Sequence, residues 1–117
     1  MRYLLLIAVP EGEDASDAEP PGCGTWSEDT ERLGVMRGTS QLRPSREATT
    51  VRVRGERVVL SDGPFTESKE VIAGYALIEC ASLDEAVEVA AQHPVAGYGA
   101  VEIRPLLERP APANAHG

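Results

Sequence analysis

The stretch SDGPFTESKEVIAGYALIE, residues 61–79, joins a turn to an apolar strand. Asp62, Gly63 and Pro64 form a turn sequence, because glycine lets the chain pass closely and proline fixes its own φ. The residues that follow the charged segment alternate as in a strand, with positions 75, 77 and 79 on one face and positions 76, 78 and 80 on the other. The stretch therefore predicts a rigid turn leading into one strand of a sheet.

The flanking sequence predicts further strands and two helices. Residues 3–9 are apolar on both faces, residues 51–60 alternate and turn at Gly55 as in a hairpin, and residues 100–104 form a last strand. Ser27 precedes a short helix that ends at Gly34. Ser82 and Glu85 have capping-box spacing, and the apolar stripe of a second helix follows before Pro94: Leu83, Ala86, Val87, Ala90 and Ala91.

This order of elements favours an α+β sheet with helices on one face. Two helices cannot cover both faces of the strand at residues 3–9, so we expect a homodimer in which a second sheet packs on the first. The alternative is a monomer whose hairpin folds back over the sheet. We predict one domain over residues 1–107, with a mobile acidic loop at 10–24 and a disordered tail at 108–117.

Composition excludes several classes of protein. The net charge of -8 argues against binding to nucleic acid or to an anionic membrane. The apolar run at the N-terminus is too short to span a membrane. Cys23 and Cys80 form neither a disulfide framework nor a zinc-site spacing, so we expect a cytoplasmic protein without metal or cofactor.

Arginines concentrate in the middle of the chain and allow two interpretations. They would bind an anionic ligand if they converged, and they would form a solvated hairpin face if they did not. The residues concerned are Arg43, Arg46, Arg52, Arg54 and Arg57.

Residues 49–94, TTVRVRGERVVLSDGPFTESKEVIAGYALIECASLDEAVEVAAQHP, and the later GAVEIRP at 99–105 resemble the YCII-related family, specifically its DGPF-domain branch. The resemblance covers residues 1–9 and 26–106, with its motifs in the family's order. It implies a ferredoxin-like sheet with helices on one face, here with an inserted β-hairpin. It also implies a dimeric α+β barrel, in which two sheets enclose a cavity.

Two departures from the family pattern bear on function. The family usually has a long first helix, where this chain has PEGEDASDAEPPGCG at residues 10–24. Relatives in the wider family carry a histidine on that helix, proposed to pair with an aspartate in acid-base catalysis. This chain has only His93 and His116, and neither lies in that segment, so the pair cannot be carried over.

The candidate site residues lie in the resembling region. Asp62 and His93 are candidate catalytic groups, although His93 is alternatively a cap at the end of the second helix, where the helix dipole favours its cation. Pro64 has no N–H, so the Asp62 carboxylate cannot form an ordinary Asx turn and must bond elsewhere or face the cavity mouth. We expect Phe65 to anchor the turn against the core. The candidate ligand contacts are Asp62, Phe65, Tyr75, Tyr98 and Arg104.

Two functions fit these residues. The first is a small-molecule-binding or accessory protein, in a regulatory or biosynthetic setting. The second is a cofactor-free enzyme, an isomerase, lyase or cyclase, that moves protons in a conjugated substrate, and it rests on analogy of fold. A catalyst needs a titratable group with a perturbed pKa facing the cavity, whereas a binding protein needs only shape and polar contacts.

Overall fold

In a computed structural model of the chain, residues 1–10, 22–65 and 70–108 are described. The strands are β1 (Arg2–Pro10), β2 (Met36–Gln41), β3 (Thr49–Arg54), β4 (Arg57–Asp62), β5 (Glu70–Glu79) and β6 (Ala100–Pro105). The helices are α1 (Cys23–Arg32) and α2 (Leu83–Ala91), and short 3₁₀ turns occur at Ser45–Glu47 and Pro94–Gly97. Within these described ranges, neither helix is long and apolar enough to cross a membrane.

The main sheet is antiparallel, with its four strands in the order β2–β5–β1–β6. Apart from β3 and β4, the chain follows a β-α-β-β-α-β order, which is consistent with a ferredoxin-like fold. The predicted α+β class is therefore confirmed. The strand at residues 3–9, apolar on both faces, lies in the interior of the sheet between β5 and β6.

The two faces of the main sheet differ in how they are covered. Tyr3, Leu5, Ile7 and Val9 of β1 are buried in a core that includes α1 and α2 side chains. Leu4 and Leu6 point to the opposite face, where they are only partly buried. Their cross-strand partners on that face are Leu77 and Tyr75 of β5 and Arg104 and Glu102 of β6. This open face is therefore apolar over β1 and β5 and charged at the β6 edge.

Helix α1 begins five residues earlier than the Ser27 cap predicts. The first helical bond runs from Trp26 N–H to the Gly22 carbonyl oxygen at 3.0 Å, and Gly22 adopts a left-handed φ of 90°. Cys23, Trp26 and Thr30 then lie buried on one face of the helix. Residues 23 and 24 of the predicted acidic loop are thus helical, because burial of this face outweighs the poor helix propensity of the glycines. Residues 11–21 lie outside the described part of the chain.

Helix α2 confirms the predicted cap but buries a different set of residues. Ser82 Oγ accepts a hydrogen bond from Glu85 N–H at 3.2 Å, and the helix ends before Pro94. Leu83 and Val87, which the stripe placed in the core, are 51% and 48% exposed. The buried residues are Ala86, Val89 and Ala90. The face that packs on the core is therefore formed by these three residues, and Leu83 and Val87 lie outside it.

The β3–β4 hairpin forms a sheet of its own and leaves one apolar face uncovered. Val51 pairs with Leu60 and Val53 with Val58, and these four side chains share a face. They are 59–66% exposed, so the alternative monomer, with the hairpin folded over the sheet, is not observed. Residues 66–69, which follow the hairpin, lie outside the described part.

The arginines do not converge on one point. Arg43 pairs with Glu47 at 2.9 Å, Arg54 and Arg57 face each other beside the hairpin turn, and the Arg52 guanidinium lies 5.2 Å from the centroid of the Phe65 ring. This arrangement matches the solvated hairpin face. Phe65 is 75% exposed, so its predicted role as an anchor against the core is wrong within the single chain. The ring instead forms a cation–π contact on the surface.

At the C-terminal end, the first residue of the predicted tail makes a contact with β1. Glu108 Oε1 accepts a hydrogen bond from Arg2 N–H at 3.1 Å. Residues 109–117 lie outside the described part of the chain.

Candidate functional site

A cavity of ≈ 50 Å³ lies between α1, the strands β1, β2 and β5, and the segment that follows α2. Thr39 and Ser40 of β2 are exposed, so the cavity reaches the surface on their side. Among the described residues that line it, none carries a formal charge at neutral pH when histidine is neutral. The full lining is Ile7, Cys23, Trp26, Ser27, Thr39, Ser40, Gln41, Ala73, Gly74, Tyr75, His93 and Val95.

His93 is a titratable residue of this lining, and its hydrogen bonds define which ring nitrogen carries the proton. Its Nδ1 accepts a hydrogen bond from Val95 N–H at 3.1 Å, so the neutral ring carries its proton on Nε2. Nε2 lies 3.7 Å from Cys23 Sγ. The ring also packs edge-on against Trp26, with centroids 4.8 Å apart and planes at 65°. The imidazole therefore presents an N–H donor toward the thiol.

Burial lowers the pKa of His93, whose residue is only 6% exposed. The hydrogen bond from Val95 opposes protonation further, because a proton on Nδ1 would face an N–H group. Helix α2 ends at Ala91, and His93 instead caps the 3₁₀ turn that begins at Pro94. The prediction of a cationic cap at the end of α2 is wrong, because the side chain turns into the core rather than back along the helix.

Trp26 forms a rigid wall of the cavity and connects the two helices. Its Nε1–H donates to the Val89 carbonyl oxygen at 3.0 Å, in the last turn of α2. Thr30 Oγ1 donates to the Trp26 carbonyl oxygen at 2.7 Å. Since Trp26 is 5% exposed, a rotation of its ring would break a buried hydrogen bond.

The two cysteines occupy different surroundings. Cys23 is the first residue of α1 and lines the cavity, although it is only 7% exposed. Cys80 is 4% exposed and lies outside the cavity lining. Burial raises the pKa of the Cys80 thiol, and the nearby Glu85 carboxylate, through its charge and a hydrogen bond, raises it further. Cys80 therefore remains a protonated core residue at neutral pH.

The structure brings two of the six predicted site residues to this cavity. Tyr75 and His93 line it, whereas Asp62, Phe65, Tyr98 and Arg104 do not. Asp62 is exposed at the end of β4, and its carboxylate forms no hydrogen bond to another described residue. Tyr98 is 50% exposed, and Arg104 pairs with Glu102 on the surface at 3.2 Å.

Sequence reasoning missed Cys23, Trp26 and the polar end of β2 as cavity residues. A usable signal was present in the single tryptophan, which lies in an otherwise polar segment. A large aromatic side chain there requires a buried face on the adjacent helix. No comparable signal connected residue 23 to residue 93, because the contact depends on how α1 and the end of α2 meet on the sheet.

Other surface features are less suited to a ligand. Larger depressions border α1 and α2, but exposed residues such as Asp29, Leu33 and Gln92 form much of their lining. Across the described segments, no cluster of three or more histidine, cysteine or acidic side chains is arranged to hold a metal ion. The cavity with His93 is therefore the candidate site.

Comparison with known proteins adds a family and a relative. A family model described as the YCII-related domain matches residues 1–109. The chain is similar to the uncharacterized protein R00369 of Rhizobium meliloti (strain 1021), with 40% identity over 75 residues. The aligned segment covers 62% of this chain and 60% of that protein, so the match spans less than two thirds of the relative's length.

Proposed function

The chain belongs to the YCII-related domain family, and from that premise we propose that it binds a small uncharged molecule in the cavity beneath α1. The observation that carries the proposal is the buried His93 N–H donor in a cavity whose described lining residues carry no formal charge. A fixed hydrogen-bond donor in an apolar wall orients a ligand, and burial of the ligand against the remaining apolar surface provides affinity.

The composition of the cavity indicates the kind of ligand. Trp26, Ile7 and Val95 supply apolar surface, while Ser27, Thr39 and Gln41 supply hydroxyl and amide groups. About 10 to 15 Å³ of such space holds one water molecule, so a volume of ≈ 50 Å³ suits a few non-hydrogen atoms or one end of a longer molecule. A carbonyl or ether oxygen would accept from the His93 Nε2–H, which it would share with Cys23 Sγ at 3.7 Å, and the described lining residues include no lysine or arginine that would select an anionic ligand.

The same geometry disfavours the alternative of acid-base catalysis by His93. A general base must have a free lone pair within reach of the proton it removes. Nδ1 of His93 is occupied by Val95 N–H, and Nε2 carries the proton of the neutral ring. The residue is suited to donate a hydrogen bond to a ligand rather than to accept a proton from it.

Trp26 provides the assay, because it is the single tryptophan and it lines the cavity. Titration with a set of small uncharged fragments that carry a hydrogen-bond acceptor should produce saturable fluorescence changes. Ser27→Leu fills the cavity and should abolish them, while Thr25→Leu, on the same helix but outside the lining, should not. Saturable binding that Ser27→Leu leaves intact would contradict this assignment.

We also propose that two copies associate as a dimeric α+β barrel of the DGPF-domain branch, in the cytoplasm. The support is the uncovered apolar surface around Leu4, Leu6 and Leu77, together with the exposed apolar face of the hairpin. Contiguous exposed apolar area of this kind is typical of association surfaces. The second copy would have to cover about 800 Å² on each chain for a stable interface.

Light scattering at micromolar concentration tests the dimer. Val58→Lys, on the apolar face of the hairpin, should shift the protein toward monomer. Val59→Lys, one residue along on the opposite face, is the matched control and should leave the mass unchanged. A wild-type protein that remains monomeric would remove the barrel proposal.

A further inference from the structure

We propose that Cys23 is a nucleophile that captures small carbon electrophiles of the α,β-unsaturated carbonyl class inside the cavity, with the His93 Nε2–H stabilising its thiolate. The inference rests on the proposed function, since it uses the same cavity. It goes further by giving the ligand a chemical class and by making its capture covalent.

The hydrogen bonds around His93 fix the direction of the Cys23 contact. Val95 N–H occupies Nδ1 at 3.1 Å, so the ring donates through Nε2, and the acceptor at 3.7 Å is Cys23 Sγ. A sulfur that accepts from an N–H group is stabilised in its anionic form. The imidazole remains neutral in this arrangement, so its N–H is available to the thiolate throughout.

The position of Cys23 at the start of α1 acts in the same direction. Cys23 is the first residue of the ten-residue helix, next to the N-cap Gly22 and to the N–H groups of the first turn. These groups place partial positive charge near the first residue and favour a thiolate there. Two features, the helix start and the imidazole N–H, therefore act against the cost of burying the charge.

The cavity provides access and selects the electrophile. Cys23 is 7% exposed, but it lines a cavity that reaches the surface near Thr39 and Ser40. A volume of ≈ 50 Å³ admits molecules of a few non-hydrogen atoms, which corresponds to a small enal or enone. The lining residues that the structure describes carry no formal charge that would favour an ionic electrophile.

The addition step balances without any further reactant. The thiol proton passes to solvent, and a sulfur lone pair forms a C–S bond to the β-carbon. The C=C π pair moves to give an enolate, whose α-carbon then takes a proton from water. The net result is addition of S–H across the double bond, with no change in oxidation state of the chain as a whole.

The test uses the full chain at pH 7 with methyl vinyl ketone, and glutathione as the reference thiol. Intact mass and peptide mapping give the rate at each cysteine, and Cys80 is the internal control. Cys23 should react about tenfold faster than glutathione, while Cys80 should be nearly inert. A Cys23 rate equal to or below that of glutathione would overturn the proposal.

Two variants test the role of His93. His93→Asn retains an acceptor for Val95 N–H but removes the donor to Cys23, so the rate at Cys23 should fall about tenfold. His93→Gln restores an amide N–H near the position of Nε2 and should recover part of the rate. An unchanged rate in His93→Asn would overturn the role of the imidazole. If Cys80 becomes reactive, the variant has unfolded. The comparison of the rate at wild-type Cys23 with the rate of glutathione then tests the proposal by itself.

Cys23→Ser separates this inference from the proposed function. The variant retains the cavity and Trp26, so fragment titration by fluorescence still measures reversible binding. Fragment binding together with an unreactive wild-type Cys23 would refute covalent capture alone. A reactive Cys23 in a protein that binds no fragment would refute reversible binding instead.

Discussion

His93 should make the stability of the fold depend on pH, in a direction set by its burial. Its pKa is lowered from the ordinary value of 6.5 in the folded chain, whereas in the unfolded chain it titrates normally. The unfolded state therefore binds more protons as the pH falls below this value, and protonation favours unfolding. The contribution of His93 is fully present above pH 6.5 and is lost as the pH falls toward the lower, folded pKa.

The size of this effect has an upper limit that follows from linkage. A histidine that stays neutral in the fold and titrates normally when unfolded would lower the free energy of unfolding by about 1.4 kcal/mol between pH 7.5 and pH 5.5. Protonation of the folded state within that range would make the loss smaller. The hydrogen bond from Val95 N–H to Nδ1 favours a loss close to this upper limit, because protonation of Nδ1 would place two N–H groups against each other.

The assay is urea denaturation at several pH values, for the wild type and for His93→Asn. The asparagine cannot titrate and retains an acceptor for Val95, so its pH profile reports all other groups. The difference between the two profiles isolates His93 and should grow as the pH falls from 7.5 to 5.5. Parallel profiles over this range would show that the imidazole titrates normally in the fold and would refute its assignment as a neutral donor.

Three further predictions concern packing and the exposed turn. Gly99→Ala should lower the free energy of unfolding, measured by denaturant titration, by about 1 to 3 kcal/mol, because a Cβ would collide with the Ala8 carbonyl oxygen. Gly97→Ala, where the Cβ would enter open space, is the control and should change the free energy of unfolding by less than about 0.5 kcal/mol. Trp26→Phe should lower the free energy of unfolding by about 2 kcal/mol, because it removes a buried hydrogen bond and side-chain volume. Denaturation followed by far-ultraviolet circular dichroism measures this loss, and a loss near zero would contradict the assignment of Trp26 as a rigid wall of the cavity. Asp62→Asn should leave both the unfolding free energy, within about 0.5 kcal/mol, and the Trp26 fluorescence titration unchanged, and weakened fragment binding would restore Asp62 as a ligand contact.

Local sequence chemistry was sufficient for most of the strands, for the second helix and for which residues of a strand share a face. The two-residue period of β5 placed Ala76 and Ile78 on the same face, as observed, and Gly55 turned the hairpin where expected. Ser82 capped α2. These features depend on contacts within a few residues, or on the alternation of a strand, so they are readable without knowing what packs against them.

The phase of the helices and the composition of the site were decided by tertiary structure. The sequence placed Leu83 and Val87 in the core, but α2 packs on the core through Ala86, Val89 and Ala90 and leaves them exposed. His93 and Cys23 lie 70 residues apart in the chain, and only the packing of α1 beside the end of α2 brings their side chains together. The same packing turned an expected helix cap into a neutral hydrogen-bond donor, because burial removes the water that a cation requires. Local patterns determine which elements form, whereas the pairing of distant side chains depends on the sheet order and on the depth at which each helix packs.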